Sequence, residues 1–394
     1  MRAAKAQHVF LTAGFLVMIY SIGLTQIGIE LVGRQRPLVF DLFLQKPSRE
    51  NLRAYETEME QACWFARKLR PWAQYLQFLL LHDMGEKSLL GRDGWLFYRP
   101  GVQYLVEPWP VRSSSNETHD DPFEAIVSFR DQLAARGIRL LVMPMPGKAS
   151  VYPEMLTRRA VGAKRPVGGH TLELIARLKR AGVEVIDLSE TFAEARDRQP
   201  SGDDTQYYLS QDTHWSPKGV SLAAETVARR ILDLGWVDKG AVRYDEKPVT
   251  LSRYGDVLRM IEVPQIEWHF APEEVECVQV VRRDTGEPYR DDPASEVLVL
   301  GDSYLRIYEQ DEPGSAGFIA HLARQLRFPL ASIVNDGGAS TLVRQKLSRT
   351  PALLVGKKVV IWEFVERDIR FGTEGWQEVP LPDPLPMEPG NRKK

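Results

Sequence analysis

Cysteine is nearly missing from this chain of 394 residues: only Cys63 and Cys277 are present, far apart and outside any CxxC or other metal-ligand spacing. That scarcity argues against a structural zinc site and against a disulfide-stapled scaffold. One pairing between the two, or two lone buried thiols, would look the same from sequence. An excess of charge of one sign is missing as well, since 51 Lys and Arg stand against 53 Asp and Glu, for a formal charge of -2. The overall cationic footprint that nucleic acid demands is therefore absent, as are P-loop and zinc-finger patterns, and no nucleic-acid partner is expected. No internal repeat is present.

What remains is the composition of an ordinary folded protein, 43% hydrophobic and 26% charged, long enough for one large core or two smaller ones. Long uncharged runs are rare, with one clear case: no residue from Val9 to Ile29 carries a formal charge, and Arg2 and Lys5 precede it. At about 1.5 Å of rise per residue such a run can cross a bilayer. A cleaved signal peptide has a shorter apolar core, roughly 7 to 15 residues, and a small-residue cleavage site after it, which does not follow Ile29. Residues 1–34 are therefore expected to form an uncleaved anchor, with residues 9–29 in the cytoplasmic membrane and the rest of the chain outside the cytoplasm. A buried core helix is the alternative.

Residues 35–87 read as a helical lead-in, because 47–85 are dense in helix formers. Gly91, Arg92, Asp93 and Gly94 form a turn signal before the aromatic run Trp95 to Tyr98. Residues 110–120 read as an exposed loop. The Asn116-Glu117-Thr118 acceptor within it matters only in a eukaryotic secretory host. From Asp121 helix and buried strand alternate: a helix to Arg136, strands at Ile138 to Met143 and Val183 to Leu188, and helices from His170 to Ala181 and Pro217 to Leu234. Continuous apolar runs suit strands covered on both faces, as in a parallel sheet. Residues 240–290 are less regular, with several short candidate strands, and read as a β-rich excursion on the same domain. The α/β pattern returns with Val297 to Leu300, Gly317 to Leu326, Ala331 to Asn335 and Lys358 to Phe364. The main domain is placed at 88–380 and a Pro-rich tail at 381–394.

The strand Val297 to Leu300 runs into Gly301, Asp302, Ser303 and Tyr304, which puts Ser303 just past the carboxyl end of a parallel strand, where open α/β sheets bind ligands. Read alone, the string fits a capping serine in a strand-to-helix turn equally well. A second constellation is Gln211, Asp212, Thr213, His214, Trp215, Ser216, Pro217. A serine hydroxyl needs an imidazole to take its proton and a carboxylate to orient that imidazole. Histidine is scarce, seven in all, and His214 alone has a carboxylate and an aromatic arranged this way. The competing reading has Asp212 and Ser216 contending to cap the helix that starts at Pro217.

GDSY at 301–304 with DTHW at 212–215 resembles the alginate O-acetyltransferase group of AlgJ and AlgX, whose catalytic domain is similar to SGNH hydrolases. The likeness extends through GRDGWLFY at 91–98, PGKASVYPEML from Pro146, GFIAHLA at 317–323 and WEFVER at 362–367, covering roughly residues 88–370. In that group, as here, the Asp/His pair precedes the serine and is spaced DxH, a circularly permuted order. The anchor resembles the AlgJ subtype. The resemblance implies an SGNH-hydrolase-like three-layer α/β/α sandwich with a parallel sheet, a catalytic triad of Ser303, His214 and Asp212, and neither metal nor cofactor. It implies acetylation of an exopolysaccharide, alginate-like or other, in the periplasm, on a single-pass inner-membrane protein. The acetyl donor would be relayed by a membrane-bound O-acyltransferase.

For the oxyanion hole the first donor is the Ser303 N–H, and the second is sought in Gly337 or Gly338 of NDGGAS, since the usual GxND block does not occur. Asn335 is placed either there or in the turn. Tyr304 is read either as lining the acyl pocket or as a core aromatic, and Glu363 with Arg367 as an ion pair bracing the last strand. Two functional alternatives stay open: a carbohydrate acetylesterase using the same three residues, and a non-catalytic subunit of a polysaccharide-acetylating complex.

Overall fold

The computed structural model describes residues 2–44, 46–108, 121–163, 167–200 and 205–382. The expected loop at 110–120 and nearly all of the tail at 381–394 lie outside them. The chain divides into two compact units, Met1–Asp83 with Glu262–Ile266, and the remainder.

The first unit is helical. Its opening helix, Arg2–Val32, contains a stretch, Leu11–Val32, that is long and apolar enough to cross a membrane. Two further helices follow, Arg49–Ala62 and Trp64–Leu81. Ser48 starts the first of them, its side chain accepting the Asn51 N–H in place of the missing intrahelical acceptor.

The second unit is built on a five-stranded parallel sheet. Nine strands are described in all: β1 (Ser88–Leu90), β2 (Leu96–Tyr98), β3 (Arg139–Met145), β4 (Glu184–Val185), β5 (Tyr244–Arg253), β6 (Glu273–Arg282), β7 (Val297–Gly301), β8 (Ala331–Val334) and β9 (Val359–Val365). The sheet order is β4-β3-β9-β7-β8. Because side chains alternate across a strand, Val297, Val299, Val359 and Ile361 enter one core, with the helices Pro217–Asp233 and Phe318–Leu326. Leu298, Leu300, Val360 and Trp362 enter the other, under the helices Pro122–Ala134, Gly169–Arg180 and Leu342–Arg349. Both faces are covered, which explains the unbroken apolar runs of the central strands. This is the expected SGNH-like three-layer α/β/α arrangement. From its centre the chain winds outward both ways, β3 to β4 and β7 to β8, so the carboxyl ends of β7 and β9 flank a topological switch point.

Two local expectations change. The strand at Val183 to Leu188 shrinks to Glu184–Val185, because Asp187 accepts the N–H groups of Ser189 and Glu190 and starts a helix at Leu188. The segment 240–290 is not a set of short strands. It holds a long antiparallel hairpin, β5 against β6, registered from Tyr244 opposite Arg282 to Arg253 opposite Glu273. Half of β5 is exposed and only Tyr244 is buried, so its sequence has little apolar alternation to betray it.

Candidate active site

β7 is buried at every residue and delivers Gly301, Asp302 and Ser303 to the carboxyl edge of the sheet. Gly301 is required there by close approach: a Cβ would lie 2.3 Å from Glu363 Oε2 and 2.5 Å from Leu305 Cδ1. That Glu363 oxygen accepts the Asp302 N–H at 3.0 Å. Asp302, not Ser303, caps the short helical turn Ser303–Arg306, its side chain accepting the Tyr304 N–H at 2.9 Å. The serine hydroxyl is left for other work.

Its partner comes from a loop closed like a small hairpin, with Tyr208 opposite Trp215, Leu209 N–H on the His214 carbonyl and Ser216 N–H on the Tyr207 carbonyl. Ser216 caps the Pro217–Asp233 helix through the Gly219 N–H, which frees Asp212. Asp212 Oδ1 lies 2.6 Å from His214 Nδ1 and 3.1 Å from the His214 N–H, while His214 Nε2 lies 2.9 Å from Ser303 Oγ. Asp212, His214 and Ser303 are thus brought into one continuous hydrogen-bonded chain, with Asp212 and His214 both buried.

The rest of the Asp212 carboxylate is held from the hairpin. Its Oδ2 accepts Arg253 Nη2 at 3.0 Å and the Asp256 N–H at 3.1 Å. Asp256 in turn accepts the N–H and hydroxyl of Thr213, both at 2.6 Å, and its Oδ2 stands 3.6 Å from His214 Nδ1. Behind the loop Lys148 is buried, with Nζ donating to the carbonyls of Leu209, Ser210 and Asp212 at 3.0, 2.8 and 2.6 Å. Burial pulls the Lys148 ammonium down to about 8, against the opposing pull of Glu273, Asp212 and Asp256. Glu273 receives the N–H groups of Ser210 and Gln211 and fixes the same loop from β6.

Electrostatically the site favours an imidazolium paired with a carboxylate. Burial works against charge on His214, but the Asp212 carboxylate, its hydrogen bond and Asp256 outweigh it and raise the imidazole above its ordinary 6.5. Burial likewise opposes ionisation of Asp212, and His214 and Arg253 overcome it, holding the carboxyl well below the usual range. Burial, and then the neighbouring Asp212, raise Asp256. A base of this kind, with Nδ1 tied to a buried carboxylate and Nε2 on a hydroxyl, can activate a serine for acyl transfer.

The other expected residues fall as follows. Tyr304 is fully buried, its hydroxyl donates to the Thr213 carbonyl at 2.8 Å, and its ring centroid lies 4.9 Å from that of His214. It is a core aromatic that supports the histidine loop. Gly338 gives its N–H to the Asn335 carbonyl at 3.0 Å inside a turn, so that donor is not free for an oxyanion. Gly337 has a φ of 63° and supplies the left-handed residue of the same turn. Asn335 extends β8, its N–H on the Gly301 carbonyl two residues before Ser303. The ion pair between Glu363 and Arg367 does not form: Glu363 takes the Asp302 N–H, and Arg367 lies over the Tyr98 ring at 5.3 Å. Both cysteines are free thiols.

Among the described residues one group of possible metal ligands converges, Asp212, His214 and Asp256. Its donor atoms are already directed at one another, at Thr213 and at the Arg253 guanidinium, which supplies the positive charge a cation would bring. Sequence reasoning missed Arg253, Asp256 and Glu273, since nothing in the weakly patterned 240–290 segment marks them. Lys148 stands in the PGKASVYPEML motif, yet no spacing rule assigns it three loop carbonyls.

The chain has relatives among known proteins. Residues 89–366 match the family model described as "SGNH hydrolase-like domain, acetyltransferase AlgX". The chain is 24% identical to "Probable alginate O-acetylase AlgJ" of Pseudomonas syringae pv. tomato over 305 residues, 75% of this chain and 72% of that one. It is 31% identical to the Pseudomonas aeruginosa protein of the same description over 163 residues, 41% of this chain and 36% of that one. Among solved structures it is similar in fold to the O-acetyltransferase domain of Pseudomonas putida AlgJ, with TM-score 0.56 and 24% identity, covering 72% of this chain and 91% of that one.

Proposed function

Because the chain belongs to the SGNH hydrolase-like acetyltransferase family of AlgX, and is an O-acetyltransferase, we propose that it acetylates hydroxyl groups of an exopolysaccharide with Ser303 as its nucleophile. The observation that carries this reading is the run of two short contacts, 2.6 Å from Asp212 to His214 and 2.9 Å from His214 to Ser303.

His214 Nε2 takes the Ser303 proton as Oγ forms a bond to the acetyl carbonyl carbon. The tetrahedral oxyanion collapses, the bond to the donor's leaving group breaks, and the imidazolium returns its proton to that group. Asp212 stabilises the imidazolium while it exists. A sugar hydroxyl then gives its proton to His214 and attacks the acetyl-enzyme, which releases the acetylated sugar and restores Ser303. The Ser303 N–H, first in its helical turn and so without an intrahelical acceptor, is the first oxyanion donor. The Asn335 N–H is taken by the Gly301 carbonyl, so its side-chain amide is the candidate for the second, and Gly337 and Gly338 serve the turn.

The acceptor class follows from the relatives' description as alginate O-acetylases, and the polymer is alginate or a similarly acetylated polysaccharide. The apolar helix supports a single-pass inner-membrane anchor with the catalytic unit in the periplasm. A membrane-bound O-acyltransferase would then relay the acetyl group across. The test is intact-mass measurement of the full chain after incubation with an activated acetyl ester, with and without oligosaccharide. An acetyl adduct on Ser303 that is absent in Ser303→Ala and His214→Ala, and discharges onto sugar rather than water, is the expected result. An adduct that survives Ser303→Ala, or discharge to acetate alone, overturns the reading.

A further inference from the structure

The helix Trp64–Leu81 carries an apolar face that is exposed among the described residues. Leu69, Trp72, Leu76 and Leu80 are 56%, 54%, 55% and 69% exposed, and their spacing of three to four residues places them in one stripe. Lys68 and Arg70 fall on opposite flanks of that stripe, about 100° to either side of Leu69 on a helical projection. The helix contains no acidic residue, in contrast to Arg49–Ala62 before it, which holds four glutamates.

The start of this helix is tied to the apolar helix at the N-terminus. Gln26 Oε1 accepts the Trp64 N–H at 2.8 Å, and Gln26 Nε2 donates to the Ala62 carbonyl at 3.2 Å and to Glu30 at 2.7 Å. Gln26 lies near the far end of the Leu11–Val32 stretch, within about 9 Å of Val32 along the axis. If that stretch spans a bilayer, Trp64 is fixed at the depth of the interface. A stripe of three leucines and a tryptophan with a cation on each edge, Lys68 and Arg70, is the chemistry that enters a lipid surface, with the basic stems reaching up to anionic headgroups.

We infer that Trp64–Leu81 lies in the plane of the membrane surface, its Leu69–Leu80 stripe inserted among anionic lipids. The inference rests on the anchor reading above. A second copy of the chain or a protein partner would need no cations on both flanks of the stripe, and so lipid is the occupant assigned.

The test uses the full chain in vesicles of equal parts phosphatidylethanolamine and phosphatidylglycerol. Cys63→Ser removes the accessible thiol, and Cys277 is buried. Single cysteines replace Leu76, Tyr20 in the apolar helix, or Glu225 on the exposed surface of the catalytic unit, and each carries an environment-sensitive fluorophore. The Leu76 probe is expected to shift to the blue and to be quenched by shallow nitroxide lipids, the Tyr20 probe by deep ones, and the Glu225 probe by neither. Lys68→Glu with Arg70→Glu should reduce the quenching at Leu76 while leaving that at Tyr20 intact. A Leu76 probe in water beside a quenched Tyr20 probe overturns the docking alone, whereas a Tyr20 probe in water overturns the anchor and the docking with it. A Leu76 probe shielded from iodide but untouched by nitroxide lipid is covered by protein, and this also refutes the inference.

Discussion

Replacing Arg253 by methionine should move the pH dependence of acetyl transfer upward. Arg253 Nη2 is 3.0 Å from Asp212 Oδ2, and Asp212 Oδ1 is 2.6 Å from His214 Nδ1. Through those contacts the guanidinium and the imidazole lie within roughly 8 Å, where like charges at an effective dielectric near 20 repel by about 2 kcal/mol. That corresponds to about 1.5 pKa units on His214. Arg253 is partly exposed, and solvent screening reduces the shift to about one unit. The sign follows from what remains: Asp212 keeps its charge through the N–H groups of His214 and Asp256, so removing the cation makes the imidazolium easier to form. Transfer needs neutral His214, whose imidazole is already raised by Asp212 and Asp256, and the acid limb of kcat/KM is therefore expected to climb further. Losing a charged donor to a buried carboxylate should also cost about 1.5–3 kcal/mol of stability. The assay is kcat/KM with a chromogenic acetyl ester from pH 5 to 9, beside thermal unfolding, with Arg253→Lys as the charge-conserving control. A destabilised Arg253→Met protein whose acid limb stays in place, or moves down, refutes the electrostatic reasoning and leaves Arg253 a purely structural residue.

Asp256→Asn removes a carboxylate oxygen 3.6 Å from His214 Nδ1 and should lower the same acid limb, opposite in sign to Arg253→Met, in the same pH series. Tyr304→Phe leaves the Thr213 carbonyl buried without its donor, which should destabilise by about 1–3 kcal/mol. Differential scanning calorimetry would register this as a lower Tm, and competition between acetyl and longer acyl esters should show unchanged selectivity. Gly301→Ala forces a methyl against Glu363 and Leu305 and should cost about 1–3 kcal/mol, measured by urea unfolding, with transfer falling as Ser303 is displaced.

The order of elements was legible in the chain itself, because the apolar runs at 138–143, 297–300 and 358–364 suit central strands of a sheet covered on both sides, and they lie in β3, β7 and β9. The one span-length apolar run and the GDS and DTH strings were legible for the same reason: each is local, and its chemistry is carried by residues a few positions apart. Tertiary structure decided what local pattern could not. It joined Ser303 to His214 across 89 positions that hold a helix and the β5–β6 hairpin, and it gave the cap of the Ser303–Arg306 turn to Asp302 and that of the Pro217–Asp233 helix to Ser216, which freed both Ser303 and Asp212. It also placed Arg253, Asp256 and Lys148 around the triad from distant elements. These last are decided by tertiary proximity: a partly buried guanidinium and carboxylate and a buried ammonium become specific partners only where the fold brings them against Asp212 and its loop, and no spacing along the chain records where that is.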